Sequence, residues 1–191
     1  AGRYGFGPNT ARLLAELGFE VDTSMVAHSA FTADGGPDYT GLPADPAWLA
    51  GPGQVLELPL TAGFAGVARA AGARAFPRLT APWARRLRLP GVLARSRLLE
   101  RIRLTPEGTT LAEMKRLTTA RLADGQRVFC LAYHSSTLLP GGSPYAATPA
   151  DVTAFLDRIA GYLDFFLEEI GGAPATPLEI HAALGARSIS G

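Results

Sequence analysis

"TLAEMKRLTTARLADGQRVFCLAYHSS", residues 110–136, has the pattern of a helix followed at once by a strand. Thr110 and Glu113 have the spacing of a capping box, apolar residues follow at helical intervals, and Gly125 is the expected terminator. The nearly continuous apolar run at 128–131 is typical of a strand that is covered on both faces. The stretch therefore predicts an α/β architecture with parallel strands.

The same alternation occurs on the N-terminal side. Pro8 is suited to the first turn of a helix, and Gly18 is suited to its left-handed end. β-branched and aromatic residues at 19–26 predict a buried strand, and a second strand is expected from Gln54. Between them, residues 28–53 are rich in Gly, Pro and Asp and predict a long ordered loop, a feature that is often functional.

A last helix is expected from Thr148, with Asp151 completing a second capping box and Gly171 ending the helix. We expect one domain over residues 1–171 and a partly disordered tail over 172–191. The apolar stripe of this helix predicts that one face is buried: Val152, Phe155, Leu156, Ile159, Leu163, Phe166 and Ile170.

Composition narrows the classes of partner. The net charge of +1 gives no global field that would attract nucleic acid, so no nucleic-acid partner is expected. A single cysteine, Cys130, excludes an intramolecular disulfide framework. No apolar run approaches the ~20 residues of a spanning helix, and no signal peptide is visible. The compartment stays open, with the cytoplasm as the default.

Arginines do cluster locally, between residues 78 and 104, where they alternate with leucines at helix-like spacing. Such a pattern is typical of helices whose arginines face water. Contact with a membrane surface or an anionic polymer is the alternative.

Two positions qualify for chemistry because they follow the predicted strands. His134 comes directly after the apolar run, where an imidazole can exchange a proton near neutral pH or simply pack. Asp22, at the end of the first strand, can hold the tautomer of a histidine or cap the following turn. Ser135 is an unsuitable nucleophile for His134, because neighbouring residues on an extended chain point to opposite faces.

Common nucleotide and nucleophile motifs are missing from the sequence. Residues 2–7, "GRYGFG", have the spacing G-x-x-G-x-G and follow no visible strand, so they do not form a dinucleotide fingerprint. There is no Walker loop, no G-x-S-x-G elbow and no cysteine pair for zinc.

Three blocks occur in a familiar order: "GRYGFGPNTARLLAELGFEVDTS" (2–24), "VLELPLTAG" (55–63) and "LTPEGTTLAEMKRLTTARLADGQRVFCLAYHSSTLLPG" (104–141). Over roughly residues 1–170 the chain resembles the C-terminal part of polysaccharide deacetylases of the NodB-homology family, in a bacterial subgroup associated with cell-surface polysaccharides. The resemblance implies a distorted (β/α)7-type barrel with parallel strands, N-terminally truncated, and an acetylated carbohydrate as substrate.

The resemblance also implies roles for particular residues. His134 matches the histidine that acts as general acid, and Asp22 matches an aspartate at the mouth of the barrel, so both are expected to be catalytic. Four further residues are expected to contact substrate: Arg3, Tyr4, Tyr133 and Ser135.

The family uses a divalent metal, usually zinc, held by an Asp-Asp pair and a His-x-x-x-His helix. Neither motif occurs in these residues. The resemblance thus implies a fragment of a metal-dependent deacetylase that is inactive alone, with metal ligands outside this chain. The alternative is a non-catalytic, deacetylase-like domain that binds glycans or serves as a scaffold. Neither reading fixes the oligomeric state.

Overall fold

The computed structural model describes residues 4–49 and 54–189, as helices and three small sheets. The chain divides into two units, one comprising Ala1–Thr61 with Pro174–Gly191 and the other comprising Ala62–Ala173. Helix α1 (Thr10–Glu16) of the first unit ends before Gly18, whose φ of 75° only glycine adopts easily. This confirms the predicted first helix.

The strand predicted over 19–26 is shorter than expected. Only β1 (Val21–Asp22) forms a ladder, and it pairs in parallel with β5 (Val55–Glu57). On the other side of β5, strand β4 (Ala47–Leu49) pairs antiparallel. The first unit therefore contains one parallel pair inside a mixed sheet.

The long loop over 28–53 has more regular structure than its composition predicts. Strands β2 (Ser29–Ala30) and β3 (Asp38–Tyr39) form an antiparallel pair. The ring of Phe31 stacks on Tyr4 at 4.8 Å and meets Tyr39 edge-on at 6.2 Å. Aromatic contacts thus order a segment that the sequence marks only as a loop.

The single strand expected from Gln54 forms as two separate strands, and the second of them belongs to the second unit. After β5 the chain starts a new strand, β6 (Ala62–Ala65), which pairs antiparallel with β7 (Glu100–Arg103). Residues 100–103 were expected to end a helical stretch, and this expectation is wrong because Ala62 and Gly63 provide a ladder partner there.

The prolines of this stretch predict two or three short helices with breaks at Pro77, Pro82 and Pro90. Three α-helices form between β6 and β7, but Pro77 lies inside the first of them and does not break it. Helix α2 (Gly72–Leu79) accommodates Pro77, whereas α3 (Pro82–Arg86) begins at a proline and α4 (Leu89–Arg95) has one in its first turn. Proline is favoured at both of those starts because its missing N–H would be unpaired there anyway.

Both predicted capping boxes are present. Helix α5 (Leu111–Ala123) begins at Thr110, whose hydroxyl accepts from Glu113 N, and α6 (Pro149–Asp164) begins in the same way at Thr148. Side chains of α5, α6 and the β6–β7 pair form the core of this unit: Ala65, Ile102, Leu104, Met114, Leu117, Tyr162 and Phe165.

The stripe predicted for α6 is partly wrong. Phe155 is buried, but Leu156 and Leu163 are 47% and 43% exposed. Tyr162 lies on the buried face instead, where its hydroxyl lies 2.9 Å from Thr118 Oγ1 on α5. Beyond α6 the helix continues as one π-helical turn (Phe165–Glu169), and Gly171, with a φ of 70°, ends the helix.

The strand expected at residues 127–134 is an extended segment that has no ladder among the described residues. A backbone hydrogen bond from Ala132 N to Leu104 O, at 3.3 Å, connects it to the chain beyond β7. Phe129 and Leu131 pack against the core and are only partly buried. An apolar run determines which side chains are buried. A β-ladder also needs a neighbouring strand whose backbone N–H and C=O groups are free to pair.

The described residues form a mixed α/β fold and no closed barrel. The segment predicted as a partly disordered tail contains helix α7 (Pro177–Ile189) and belongs to the first unit. None of the described helices has both the length and the apolar character needed to cross a bilayer.

Candidate functional site

A polar site in the second unit is formed by Glu107 and His134, which lie at the ends of two neighbouring segments of the chain. Strand β7 ends at Arg103, and the turn after it places Glu107, whose backbone N–H donates to Thr105 Oγ1 at 3.2 Å. His134 ends the extended segment and precedes a 3₁₀ turn (Ser135–Leu138). Each residue is therefore held at the point where its segment leaves the apolar cluster.

Glu107 and His134 are connected through both the backbone and the side chain. The backbone N–H of His134 donates to Glu107 Oε1 at 3.0 Å, and its Nδ1 lies 2.7 Å from Glu107 Oε2. Because an ionised carboxylate only accepts, Nδ1 carries the proton in this contact. The imidazole is therefore fixed in position and in tautomer.

Thr137 completes the support for Glu107. Its hydroxyl donates to Glu107 Oε1 at 2.6 Å and lies 2.9 Å from Ser143 Oγ. Thr137 is fully buried, whereas Glu107 is 7% exposed. The carboxylate thus sits beneath the histidine with its lone pairs directed at three donors.

The electrostatics favour an ionised Glu107. Burial by itself raises the pKa of this carboxyl, but hydrogen bonds from Thr137 and from the backbone and ring of His134 outweigh it, so the pKa lies below its ordinary value. The His134 side chain is 67% exposed. Its Nε2 has no hydrogen-bond partner in the described part of the chain, which leaves that atom able to exchange a proton with a ligand.

Two other predicted residues lie beside His134. Tyr133 is 42% exposed and its ring meets Phe155 edge-on at 5.5 Å, which fixes the ring while one side stays open. Ser135 is exposed in the first position of the 3₁₀ turn. Both could contact a molecule that approaches the imidazole.

The remaining predicted residues belong to the first unit. Asp22 caps its own turn, accepting from Ser24 N at 3.1 Å and from Ser24 Oγ at 2.9 Å. The carboxylate that holds His134 is Glu107, a role the sequence had left open for Asp22. Tyr4 is half-buried, with its carbonyl bonded to the Tyr39 hydroxyl. Arg3 lies outside the described residues.

A second carboxyl accompanies Asp22. Glu57 is its register partner on β5 and is 1% exposed. Glu57 Oε1 accepts from Met25 N at 3.1 Å, while Oε2 is buried with no donor among the described residues. Burial, followed by the hydrogen bond and charge of Asp22, raises the pKa of Glu57 to about 9. Glu57 therefore keeps its proton at neutral pH.

Neither cluster fits a metal ion. Within residues 4–49 and 54–189, no group of three or more His, Cys, Asp or Glu side chains is placed to hold one. Glu107 is already occupied by three donors, and the Asp22 carboxylate is occupied by Ser24.

Glu107 is the functional residue that the sequence analysis missed. It lies 27 residues from His134, in "TPEG", which has only the signature of a turn. The residues before it, "ERIRLTP" (100–106), are not an apolar run, so the pattern that marks His134 does not mark Glu107.

Comparisons with known proteins add no assignment, because no protein-family model, curated protein or solved structure matches the chain.

Proposed function

We propose that this chain is part of a hydrolase that removes acetyl groups from a carbohydrate, with His134 as its general acid. The observation that carries the proposal is the pairing of an exposed imidazole with a buried carboxylate, Nδ1 to Glu107 Oε2 at 2.7 Å. The likeness of the three sequence blocks to NodB-homology deacetylases supports the choice of reaction and the barrel as the complete fold.

The geometry suits the second half of amide hydrolysis. After water has added to the acetyl carbonyl, the C–N bond breaks and the electron pair moves to nitrogen, which must take up a proton to leave as an amine. A protonated His134 can deliver that proton from Nε2, while Nδ1–H stays bonded to Glu107. The ionised Glu107 stabilises the imidazolium before the transfer and keeps the ring oriented during it.

The first half of the reaction needs an activated water. NodB-homology deacetylases activate it with a divalent metal, usually zinc, and the described residues do not supply a ligand set for one. The proposal therefore assigns water activation to residues outside this chain and derives no metal step from these residues.

Substrate contact is proposed for the residues around the imidazole. Tyr133 offers an exposed aromatic face, a surface on which sugar rings commonly stack, and Ser135 offers a hydroxyl next to it. Asp22 keeps the catalytic role, and Arg3 and Tyr4 the substrate contacts, that the family resemblance implies. A glycan-binding protein without turnover is the second candidate, and it is supported by the exposed ring of Tyr133 beside His134.

The test uses the protein encoded by the complete reading frame that contains this chain. Release of acetate from N-acetylated chitooligosaccharides is measured for wild type, His134→Ala and Glu107→Gln. We expect His134→Ala to lower kcat by about 10²–10⁴-fold, the usual contribution of a general acid. Glu107→Gln is expected to lower kcat while it leaves KM nearly unchanged.

A matched control is His28→Asn, because His28 has a φ of 52°, which asparagine tolerates. This variant should retain full turnover. Unchanged turnover in His134→Ala would refute the assigned role. Binding of the oligosaccharide without acetate release by wild type would favour the glycan-binding candidate.

A further inference from the structure

The segment between β6 and β7 has an unusual charge. Residues 66–99, which we name the basic segment, contain eight arginines and no Asp, Glu or Lys. Since the whole chain carries only +1, the rest of the chain is net negative. The net positive charge of this protein is therefore concentrated in the basic segment.

Most of these arginines have no local counter-charge. Arg74, Arg78, Arg86, Arg88, Arg95 and Arg97 are exposed, and no ion pair of the described residues includes any of them. Elsewhere in the same unit, Arg116 is paired with Glu100 at 2.7 Å and Arg121 with Asp124 at 3.3 Å. Six unpaired guanidinium groups on one segment make a surface that favours anions.

The same segment exposes large apolar side chains. Trp83 is 56% exposed, Leu87 is 65% exposed and Val92 is 55% exposed. Trp83 and Arg86 of α3 and Leu87 directly after the helix line, with Pro82, an open apolar depression of about 570 Å³. An indole, an aliphatic side chain and a guanidinium are thus presented together to solvent.

This exposure coexists with ordered packing on the inner side. Phe76 of α2 meets Phe64 of β6 edge-on at 5.5 Å, and Ala84 of α3 and Leu99 are buried. The helices are therefore fixed to the β6–β7 pair. Their outward apolar residues form a distinct surface and are not part of the core.

We propose that the basic segment binds the surface of an anionic phospholipid bilayer. Arginines attract acidic headgroups, while Trp83 and Leu87 insert at the boundary between headgroups and acyl chains. Nucleic acid and anionic glycans would also attract the arginines, but neither gives an exposed leucine and valine an apolar phase to enter. The inference is independent of the deacetylase proposal.

The test measures binding of the full chain to vesicles at about 0.15 M salt. Vesicles of phosphatidylcholine alone are compared with vesicles that also contain phosphatidylglycerol, by co-sedimentation. We expect binding only to the anionic vesicles, weakening as salt is raised. In a Trp48→Phe background, Trp83 is the single tryptophan, and its emission should shift to the blue and be quenched by brominated lipid.

Variants separate the two contributions. Arg86→Gln with Arg88→Gln should lower the partition constant roughly 30-fold, whereas the paired lysine replacements should retain most binding. Trp83→Ser with Leu87→Ser should weaken binding without changing the charge. Leu163→Ser with Leu167→Ser, two exposed leucines elsewhere in the unit, is the matched control and should bind like wild type.

Circular dichroism confirms that each variant is folded, and the lysine pair tests charge even if the glutamine pair is unstable. Equal binding to neutral and anionic vesicles, no binding to either, or an unshifted Trp83 would overturn the proposal. Retention on heparin or DNA without vesicle binding would overturn it in favour of a polymer contact.

Discussion

Asp22 and Glu57 are register partners on two parallel strands, and the Glu57 carboxyl keeps its proton at neutral pH. Asp22 has the donors of Ser24, whereas Glu57 Oε2 has no donor among the described residues. A proton on Glu57 removes the repulsion and can be donated to Asp22. The arrangement makes the stability of the first unit depend on pH.

Glu57→Gln should reduce that dependence. The pKa of Glu57 is about 9 in the folded chain and lies near its ordinary value of 4.5 in the unfolded chain. Between these pH values only the folded state keeps the proton, so stability falls as pH rises, by up to about 1.4 kcal/mol per pH unit. Glutamine stays neutral and can still accept from Met25 N, so we expect its advantage in unfolding free energy to grow from pH 5 to pH 9.

Urea unfolding at several pH values measures this difference. Glu20→Gln, at an exposed glutamate of the same unit, matches the change in net charge and separates it from the effect of the buried pair. A loss of stability in Glu57→Gln that is equal at pH 5 and pH 9 would mean that the ionised form is the native one.

The His134 ring should carry its proton on Nδ1 when neutral, because Glu107 accepts there at 2.7 Å. Long-range ¹H–¹⁵N correlation spectra distinguish the two tautomers. Glu107→Ala removes the acceptor and should move the population toward Nε2–H. It should also cost about 1–3 kcal/mol, because the buried Thr137 hydroxyl and the His134 backbone N–H both lose the Glu107 acceptor.

Thr137→Val separates the two effects. It removes the same buried hydrogen bond but leaves Glu107 bonded to His134, so stability should fall while the tautomer stays unchanged. An Nε2–H ring in the wild-type protein would be incompatible with the geometry of this site.

The contribution of Glu107 to the free energy of unfolding should decrease in acid below pH 4.5, because its lowered pKa means that the folded state favours the carboxylate.

Thr110→Ala should destabilise α5 by about 1 kcal/mol, because Glu113 N loses its acceptor. Thr119→Ala, at an exposed position within the same helix, is the control and should be neutral or slightly stabilising, since alanine is the better helix former. Chemical denaturation gives both values. Equal losses at the two positions would show that the cap contributes nothing beyond an ordinary helical threonine.

Two glycines of the basic segment should respond in opposite directions to alanine. A Cβ at Gly72 would overlap the ring of Phe64, so Gly72→Ala should cost about 1–3 kcal/mol. A Cβ at Gly91, inside α4, meets nothing within 4 Å, so Gly91→Ala should stabilise the chain by up to about 1 kcal/mol. Thermal melts test the pair, and a stabilising Gly72→Ala would contradict the packing described for α2.

Features encoded within a few residues were predictable from the sequence. The caps at Thr110 and Thr148 and the ends at Gly18 and Gly125 each depend on one local turn of the chain. The β6–β7 ladder depends on Ala62 meeting Arg103, which no local pattern indicates. For the same reason, the apolar run at 128–131 predicts burial but not a ladder.

The candidate site also combines a residue that a local pattern marks with one that only the fold brings to it. His134 was identified from its place at the end of an apolar run, a local property. Its partner Glu107 comes from another segment, and a carboxylate in a Thr-Pro-Glu-Gly turn looks like ordinary surface chemistry until the fold brings it to the ring. The predicted roles of Tyr133 and Ser135 remain predictions.

The pairing of Ala65 with Glu100 brings the two ends of the basic segment to neighbouring positions of one ladder. The segment therefore leaves and rejoins the fold at a single place, and changes in its length or composition need not disturb the strands that carry Glu107 toward His134. Natural selection can alter such an excursion while the chemistry next to it is preserved. We expect homologous chains to diverge most in residues 66–99. Substitutions there could change which surface the protein binds in the cell without changing the neighbouring site.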